Sequence, residues 1–421
     1  MLPNGKPELL VPAGSLEVLK TAVNFGADAV YIGGEAFSLR DKARNFSPEE
    51  MAEGIRYAHA HGVRLHVTAN ILAHDSDLAG ADAYFRELAK LGPDALILAD
   101  PGMFEKAGRL CPEAERHIST QANNTNYETF RFWHRLGAKR VVCARELSLA
   151  EIREIRRKTD PALEIEAFIH GAMCISYSGR CLLSSYFTGR DANRGVCSHP
   201  CRWKYAVVEE TRPGEYLPVY ENDRGSFIFN SRDLCMIEHI PELLEAGIDS
   251  YKIEGRMKTA LYVATVARTY RKAIDDCCEN PEKYRANLEW YRNEIRKCTY
   301  RSFTTGFYFG RPDENAMVYD NNVYVQDAVY LGTVGRRDAA GRVHFEQRNK
   351  FCVGDEIEIM KPDGRDVPAR VLALHTEDGE AADSAPHPRQ PLWLTLDAEA
   401  ESGDLLRMTR PSSAAAEAGN P

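Results

Sequence analysis

Five of the 11 cysteines in this 421-residue chain fall between Cys174 and Cys235. Cys174, Cys181, Cys197 and Cys201 follow a C-x6-C-x15-C-x3-C spacing, and Cys235 comes later, in NSRDLCMIEHI. Thiolate is a soft ligand that selects zinc or iron–sulfur centres. Four converging thiolates satisfy a [4Fe–4S] cluster or a tetrahedral structural zinc. Zinc sites usually pair close knuckles, and only Cys197/Cys201 has that form, so the spacing favours iron–sulfur. The plain alternative is a buried core thiol. It suits Cys111, Cys143, Cys277, Cys278, Cys298 and Cys352, which sit in regular patterns, whereas the clustered five stand among Gly, Ser and Arg. A nucleophilic cysteine would need a histidine base and an orienting group. His170 and His199 are near in sequence, but a lone histidine at a strand end is more often structural or substrate-binding.

Elements must position these thiols. Over the first two-thirds, short apolar runs alternate with helical patterns. The runs are Glu8–Val11, Ala29–Ile32, Arg64–Asn70, Ala95–Ala99, His117–Gln121, Arg140–Cys143, Leu163–His170 and Ser250–Glu254. Amphipathic stretches such as Ser47–His61, Asp82–Leu91, Val263–Cys278 and Tyr284–Cys298 read as helices. Ser47 with Glu50, and Ser148 with Glu151, have capping-box spacing. Alternation of this kind predicts a parallel sheet with crossover helices. Eight strands over this length fit an α/β chain whose residues 1–312 form a TIM-like (β/α)8 barrel; an open doubly wound sheet is the other topology with this rhythm. The periodicity breaks from Gly171 to Asn230, so the cysteines belong to an insertion, 171–235, at the C-terminal face of the barrel, where active sites are built. Residues 313–410 change to alternating runs (Val323–Val325, Gly332–Val334, Val343–Glu346, Glu356–Met360, Val367–Leu374, Leu392–Leu396), expected as a small antiparallel β-barrel or sandwich. His375–Gln390 reads as a mobile loop and 411–421 as a disordered tail.

Further polar residues fall at predicted strand ends. Lys252, Glu254, Arg256 and Lys258 follow the last barrel strand, where loops often bind anions. Arg256 could hold a carboxylate or phosphate in a bidentate contact; a structural Glu–Arg pair closing the barrel is the even alternative. Asn70, Gln121, Asn123, Arg145 and His170 could orient a substrate. Arg40 and Arg44 follow the second strand and either touch substrate or cover the barrel mouth. Arg194, Arg202, Trp203, Lys204 and Tyr205 mix basic and aromatic side chains, a mixture that contacts phosphate and stacks on a splayed base, or packs as a solvated loop.

A 44% apolar share is enough for a sizeable core, and a net charge of -9 with a pI near 5.8 does not advertise nucleic-acid binding. No secretory signal is visible and no apolar run is long enough to span a bilayer. The expected location is the cytoplasm, without membrane partners, where cysteines serve metal or redox chemistry more often than disulfides.

The segments Glu166–Cys174 (EAFIHGAMC) and Gly179–Ser184 (GRCLLS) resemble the signature of the peptidase U-32 family. ELLVPAGSLEVLKTAVNFGADAVYIGG and SYKIEGRMK are similar to other family segments, so the resemblance covers most of residues 7–310. The final β-rich part resembles the family's C-terminal domain. The family name derives from members described as collagenases; other members are implicated in oxygen-independent hydroxylation of tRNA, ribosomal RNA or ubiquinone precursors. RGVCSHPCRWKY and NSRDLCMIEHIPELLEAGIDSYKIEGRMK most resemble the tRNA-hydroxylating branch. That resemblance implies conversion of wobble uridine to 5-hydroxyuridine with prephenate as co-substrate, tRNA as partner and an electron-donor protein as a further one. It also implies a [4Fe–4S] cluster on Cys174, Cys181, Cys197 and Cys235, with Cys201 as an alternate ligand. His170, Glu254 and Arg256 are the expected catalytic groups, and Asn70, Gln121, Arg145 and Lys258 the expected substrate contacts. A U-32 peptidase and a zinc-stabilised RNA-binding scaffold are the competing readings. Against a peptidase, the chain has no H-E-x-x-H and no G-x-S-x-G motif.

Overall fold

All eight expected strand segments form parallel strands, and the last of them pairs with both the seventh and the first. The structure, a computed structural model, describes residues 2, 5–39, 45–174, 176–203, 221–222, 225–226, 232–310 and 327–409. Arg40, Arg44, Lys204, Tyr205, the Val323–Val325 run and the 411–421 tail lie outside the described residues. The strands are β1 (Glu8–Pro12), β2 (Ala29–Gly33), β3 (Arg64–Ala69), β4 (Ala95–Leu98), β5 (Glu115–Ile118), β6 (Arg140–Val142) and β7 (Glu164–Ala172). A short hairpin, β8 (Glu221–Asn222) and β9 (Gly225–Ser226), and then β10 (Asp233–Cys235) precede the closing strand β11 (Ser250–Ile253). Because β11 pairs with β7 and β1, the sheet is a closed barrel and not a doubly wound sheet.

Helices α1 (Leu16–Asn24), α2 (Pro48–Ala60), α3 (Asp75–Leu91), α4 (Pro101–Leu110), α5 (Tyr127–Arg135) and α6 (Leu149–Lys158) alternate with the first strands. Ser47 and Ser148 both make the expected capping boxes, each reciprocated by Glu50 or Glu151, which satisfies N–H groups the first turn would otherwise leave orphaned. Helix α3 starts seven residues before its apolar pattern, because the Asp77 carboxylate accepts the His74 N–H at 2.8 Å and fixes the turn there. Then come α7 (Leu183–Thr188), α8 (Ile240–Glu245) and the long α9 (Ala260–Glu279). The last predicted helix is two, α10 (Pro281–Ala286) and α11 (Leu288–Ile295), parted at Asn287.

The barrel strands are buried on both faces. The outer face packs on the helices through one apolar cluster that includes Leu9, Val30, Leu65, Leu96 and Ile165. The inner face is unusually polar for a fold whose interior is normally filled by branched aliphatics. Arg140 donates to Glu8 at 2.5 Å, Glu164 at 2.8 Å, and Glu166 and Ser250 at 3.0 Å each. Lys252 donates to the other oxygen of Glu166 at 2.6 Å. Burial alone would raise the Glu8 carboxyl, but the Arg140 guanidinium beside it holds it well below the usual carboxylate range. His66 and His117 meet edge to face, 4.9 Å apart, and burial pushes both imidazoles well below their ordinary range.

Past a short strand β12 (Phe303–Thr304), the C-terminal region forms an antiparallel barrel of β13 (Ala328–Arg337), β14 (Val343–Glu346), β15 (Glu356–Met360), β16 (Asp366–Thr376), β18 (Pro391–Leu396) and β19 (Leu405–Thr409). Its core holds Leu331, Phe345, Ile359 and Leu394. The expected loop 375–390 is partly strand: β16 runs to Thr376 and pairs with β17 (Ala381–Ala382). This barrel docks on the first through buried ions. Arg407 of β19 donates to Glu294 at 2.7 Å and to Asp366 at 2.9 Å, and Arg268 of α9 donates to Asp366 at 3.0 Å.

Candidate functional site at the barrel mouth

A cavity opens at the C-terminal ends of the barrel strands, the end from which active sites in this fold are built. Its floor comes from inward-facing strand residues: Tyr31 on β2, Thr68 on β3, Ile97 on β4, Phe168 on β7 and Lys252 on β11. Its roof is the cysteine-bearing insertion, which supplies Cys174, Cys181, Cys197 and Cys201 to the same wall. Four of the five clustered cysteines therefore face one cavity.

Why the insertion covers the mouth follows from β7. The strand carries Glu166 and Phe168 inward, and strict alternation would carry His170 inward as well. The β7–β11 register shifts between Lys252 and Ile253, so two residues of β7, Ile169 and His170, answer one step of β11. Such a bulge re-aims the side chains beyond it. His170 turns to α9 and Ala172 and Met173 turn to the cavity. Gly171, at φ +110, passes so close to Glu254 that a Cβ would stand 2.6 Å from the Glu254 carbonyl oxygen. Beyond the bulge β7 pairs with β10, antiparallel, with Cys235 opposite His170.

The insertion is pinned at several points. Asn123 donates to the Ser178 carbonyl at 2.7 Å and accepts from Arg180 at 2.6 Å. Arg194 pairs with Asp77 of α3. Ser198 bonds to Ser184 at 3.0 Å and Thr188 at 3.1 Å, tying α7 to the turn between Cys197 and Cys201. The backbone N–H of His199 donates to Cys197 Sγ at 3.4 Å, a contact of the kind that stabilises a metal-bound thiolate.

The wall carries three cations, Arg145, Lys252 and Arg256, against one carboxylate, Glu254. Arg145 lies 4.1 Å over the Phe168 ring and 3.5 Å from Glu254. Lys252 stands over Tyr31 and Phe168, at 4.7 and 5.5 Å, with Glu166 beneath it. Arg256 donates to Ser38 at 2.7 Å and Thr68 at 3.1 Å. It passes over Gly33, where a Cβ would stand 1.9 Å from Nη1, so any side chain at that position would displace the guanidinium. Asn70 donates to Ser119 at 3.3 Å, and Gln121 Oε1 is buried on this wall without a partner among the described residues.

Of the residues expected from sequence, Cys174, Cys181, Cys197, Cys201, Asn70, Gln121, Arg145, Glu254 and Arg256 meet at this cavity. His170, Lys258 and Cys235 do not line it. His170 sits between Tyr262, Tyr270 and Phe303, with Asp233 and Lys258 the charges acting on it, and burial lowers its imidazole to about 3. Neutral and enclosed, it packs the barrel against α9. Lys258 reaches the Thr299 carbonyl at 3.5 Å and covers the Tyr262 ring. Cys235 Sγ lies 3.8 Å from the Tyr270 hydroxyl, and burial pushes its thiol up to about 11. Tyr31, Thr68, Ser119 and Phe168 are wall residues that sequence reasoning did not single out. Their signal is position alone: Tyr31, Thr68 and Phe168 are inward-facing strand residues and Ser119 stands just beyond the end of β5.

Four soft thiols on one wall match an iron–sulfur cluster in chemistry. Among the described residues no three His, Cys, Asp or Glu side chains converge closely enough to hold a metal ion.

Comparison with known proteins agrees with the architecture. Residues 14–318 match peptidase family U32, and residues 326–407 match the peptidase family U32 C-terminal domain. "tRNA hydroxylation protein P1" of Bacillus subtilis (strain 168) is 42% identical over 403 residues, covering 96% of this chain and 94% of that protein. "tRNA hydroxylation protein P" of Escherichia coli (strain K12) is 36% identical over 443 aligned positions, covering 96% of each. "23S rRNA 5-hydroxycytidine C2501 synthase" of Escherichia coli (strain K12) is 39% identical over 272 residues, covering 65% of this chain and 40% of that protein.

Proposed function

The chain belongs to peptidase family U32, and on that premise we propose that it is an RNA hydroxylase that converts tRNA wobble uridine to 5-hydroxyuridine. Relatives aligned over nearly the whole chain carry tRNA hydroxylation in their names, and a more distant one carries rRNA hydroxylation. The observation that carries the reading is that four thiols and three cations line one cavity. We infer a [4Fe–4S] cluster held by Cys174, Cys181 and Cys197. For the fourth ligand the resemblance implies Cys235, with Cys201 the alternate; we place Cys201 first because it lines the cavity, whereas Cys235 does not and lies 3.8 Å from the Tyr270 hydroxyl.

When bound, such a cluster supplies electrons or activates an oxygen donor, without a requirement for molecular oxygen. The chain's own residues do the rest. Arg145, Lys252 and Arg256 give the cavity a cationic wall suited to a small dicarboxylate such as prephenate. Glu166 fixes the Lys252 ammonium from below, and Ser38 and Thr68 fix Arg256, so the cations are oriented before a ligand arrives. Gln121 offers a buried acceptor to a donor on the ligand. The insertion roofs the mouth and limits the entry of water. An electron-donor protein is the further partner this chemistry asks for.

The test is iron and acid-labile sulfide content, with EPR of the reduced protein, after purification without oxygen. A near-stoichiometric cluster that is lost in Cys174→Ser and Cys181→Ser supports the assignment. Iron-free protein after anaerobic reconstitution would overturn it and return the zinc scaffold and the peptidase to consideration.

A further inference from the structure

The roof of the cavity presents its aromatic side chains outward. Five large apolar side chains of the cysteine-bearing segment stand exposed: Tyr177 at 45%, Leu182 at 69%, Tyr186 at 84%, Phe187 at 46% and Trp203 at 39%. Exposed apolar side chains scattered singly need no explanation, but a group rimmed by polar residues marks a contact surface. Here the rings also touch one another. Tyr186 and Phe187 meet edge to face at 5.1 Å, and Phe187 and Trp203 lie 6.3 Å apart.

Local structure holds them outward. Helix α7 begins two residues after Cys181 and buries only Ser184, which bonds Ser198. Its other face therefore carries Tyr186 and Phe187 to solvent, with Leu182 at its N-cap. The helix packs on the Pro200–Arg202 turn that leads to Trp203. Tyr177, Cys181 and Cys201 line the cavity itself, so the ring surface and the cavity wall are two sides of one segment.

Charge indicates the occupant. The segment from Gly171 to Trp203 carries Arg180, Arg190, Arg194 and Arg202 against Asp191, with Arg194 also paired to Asp77, in a chain whose net charge is -9. A local basic excess interleaved with exposed rings suits a polyanion whose bases are unstacked, since rings offer π-faces and arginines reach phosphates. An acidic peptide would use the charge but leave the rings idle, and a continuous duplex would hide its base faces.

We propose that this ring surface is the RNA-docking platform of the enzyme, on which bases of a single-stranded loop stack beside the target base, with Tyr186 and Phe187 as its centre. The platform holds neighbouring bases splayed while the target base turns over the rim at Tyr177 into the cavity. This rests on the RNA-hydroxylase reading and adds the surface that would hold the bases flanking the target.

The test uses the full chain and a fluorescein-labelled RNA stem-loop with a uridine-containing loop, with a blunt duplex of matched composition as the control, at one fixed salt concentration. Tyr186→Ala and Phe187→Ala should each weaken stem-loop binding at least about five-fold, the low end of base–aromatic stacking, and leave duplex binding unchanged. Tyr186→Phe should bind like wild type. At so exposed a position the substitution should not move the melting temperature, which circular dichroism checks. If wild type binds the loop and the alanine variants match it within about two-fold, the platform is refuted and the RNA reading stands; a face that seats a partner protein would give this result. If wild type binds neither RNA and tRNA from a deletion strain keeps its 5-hydroxyuridine, the RNA reading falls and the platform with it.

Discussion

Substituting Glu166 with Gln would remove the one negative charge that links the barrel interior to the cavity floor. Glu166 is fully buried, and its two oxygens receive Arg140 at 3.0 Å and Lys252 at 2.6 Å. Glutamine keeps the shape and one acceptor but takes the carboxylate from under Lys252, while Arg140 keeps Glu8 and Glu164. Breaking a buried pair by removing one partner costs about 3–5 kcal/mol, because the remaining charge is uncompensated. For a barrel this large each kcal/mol lowers the melting temperature by about 2 °C, so the expected loss is about 6–10 °C. Urea unfolding followed by circular dichroism measures it. The double variant E166Q/K252M should recover at least about 1 kcal/mol of the loss, because one stranded cation is gone. A loss under about 1 kcal/mol in E166Q, or strict additivity in the double variant, would show that the interior ions are effectively solvated and that Lys252 is not held from below.

Further outcomes follow from the same geometry. Cys201→Ser should lose iron while Cys235→Ser retains it, and Cys111→Ser and Cys352→Ser should be silent; iron lost from Cys235→Ser but kept in Cys201→Ser would reverse the choice of fourth ligand. Arg256→Ala should leave the cluster's EPR signal intact and lower turnover about 10- to 100-fold, the worth of a charged hydrogen bond; normal turnover would place the anion site elsewhere. His170 has its imidazole lowered by burial to about 3, so the unfolded chain takes up a proton below its ordinary pKa while the folded chain does not. Stability present above about pH 6.5 should therefore fall as pH drops towards 3, by up to about 1.4 kcal/mol per unit for each such histidine. His66 and His117 act in the same direction. Urea midpoints at about pH 7 and about pH 5 should differ less in His170→Phe, and an unchanged slope would mean that the ring is hydrated.

The barrel was legible because its strands are apolar runs set between capped helices. Ser47 and Ser148 announced helix starts that the structure keeps. Interior chemistry was not legible: a strand buried on both faces gives no alternation, so nothing marked Glu8, Arg140 and Glu166 as one network. The Cys174–Cys201 group was readable from its types and spacing, and Asn70, Gln121, Arg145, Glu254 and Arg256 from their place at strand ends. His170 was not, because alternation carries it inward and a bulge beside Ile253 turns it out. Cys235 was assigned by resemblance, and only the antiparallel pairing of β10 with β7 puts it beside Tyr270. Tyr186 and Phe187 went unremarked because an apolar residue in sequence reads as core until its exposure is seen.

The most direct measurement is nucleoside mass spectrometry of tRNA from a deletion strain grown without oxygen and complemented with wild type, Cys174→Ser or Arg256→Ala. The result expected is 5-hydroxyuridine and its derivatives absent in the deletion, restored by wild type, absent with Cys174→Ser and reduced with Arg256→Ala. Full modification with Cys174→Ser would contradict a thiol-held centre at the barrel mouth, and full modification in a deletion strain lacking every related chain would contradict the function itself.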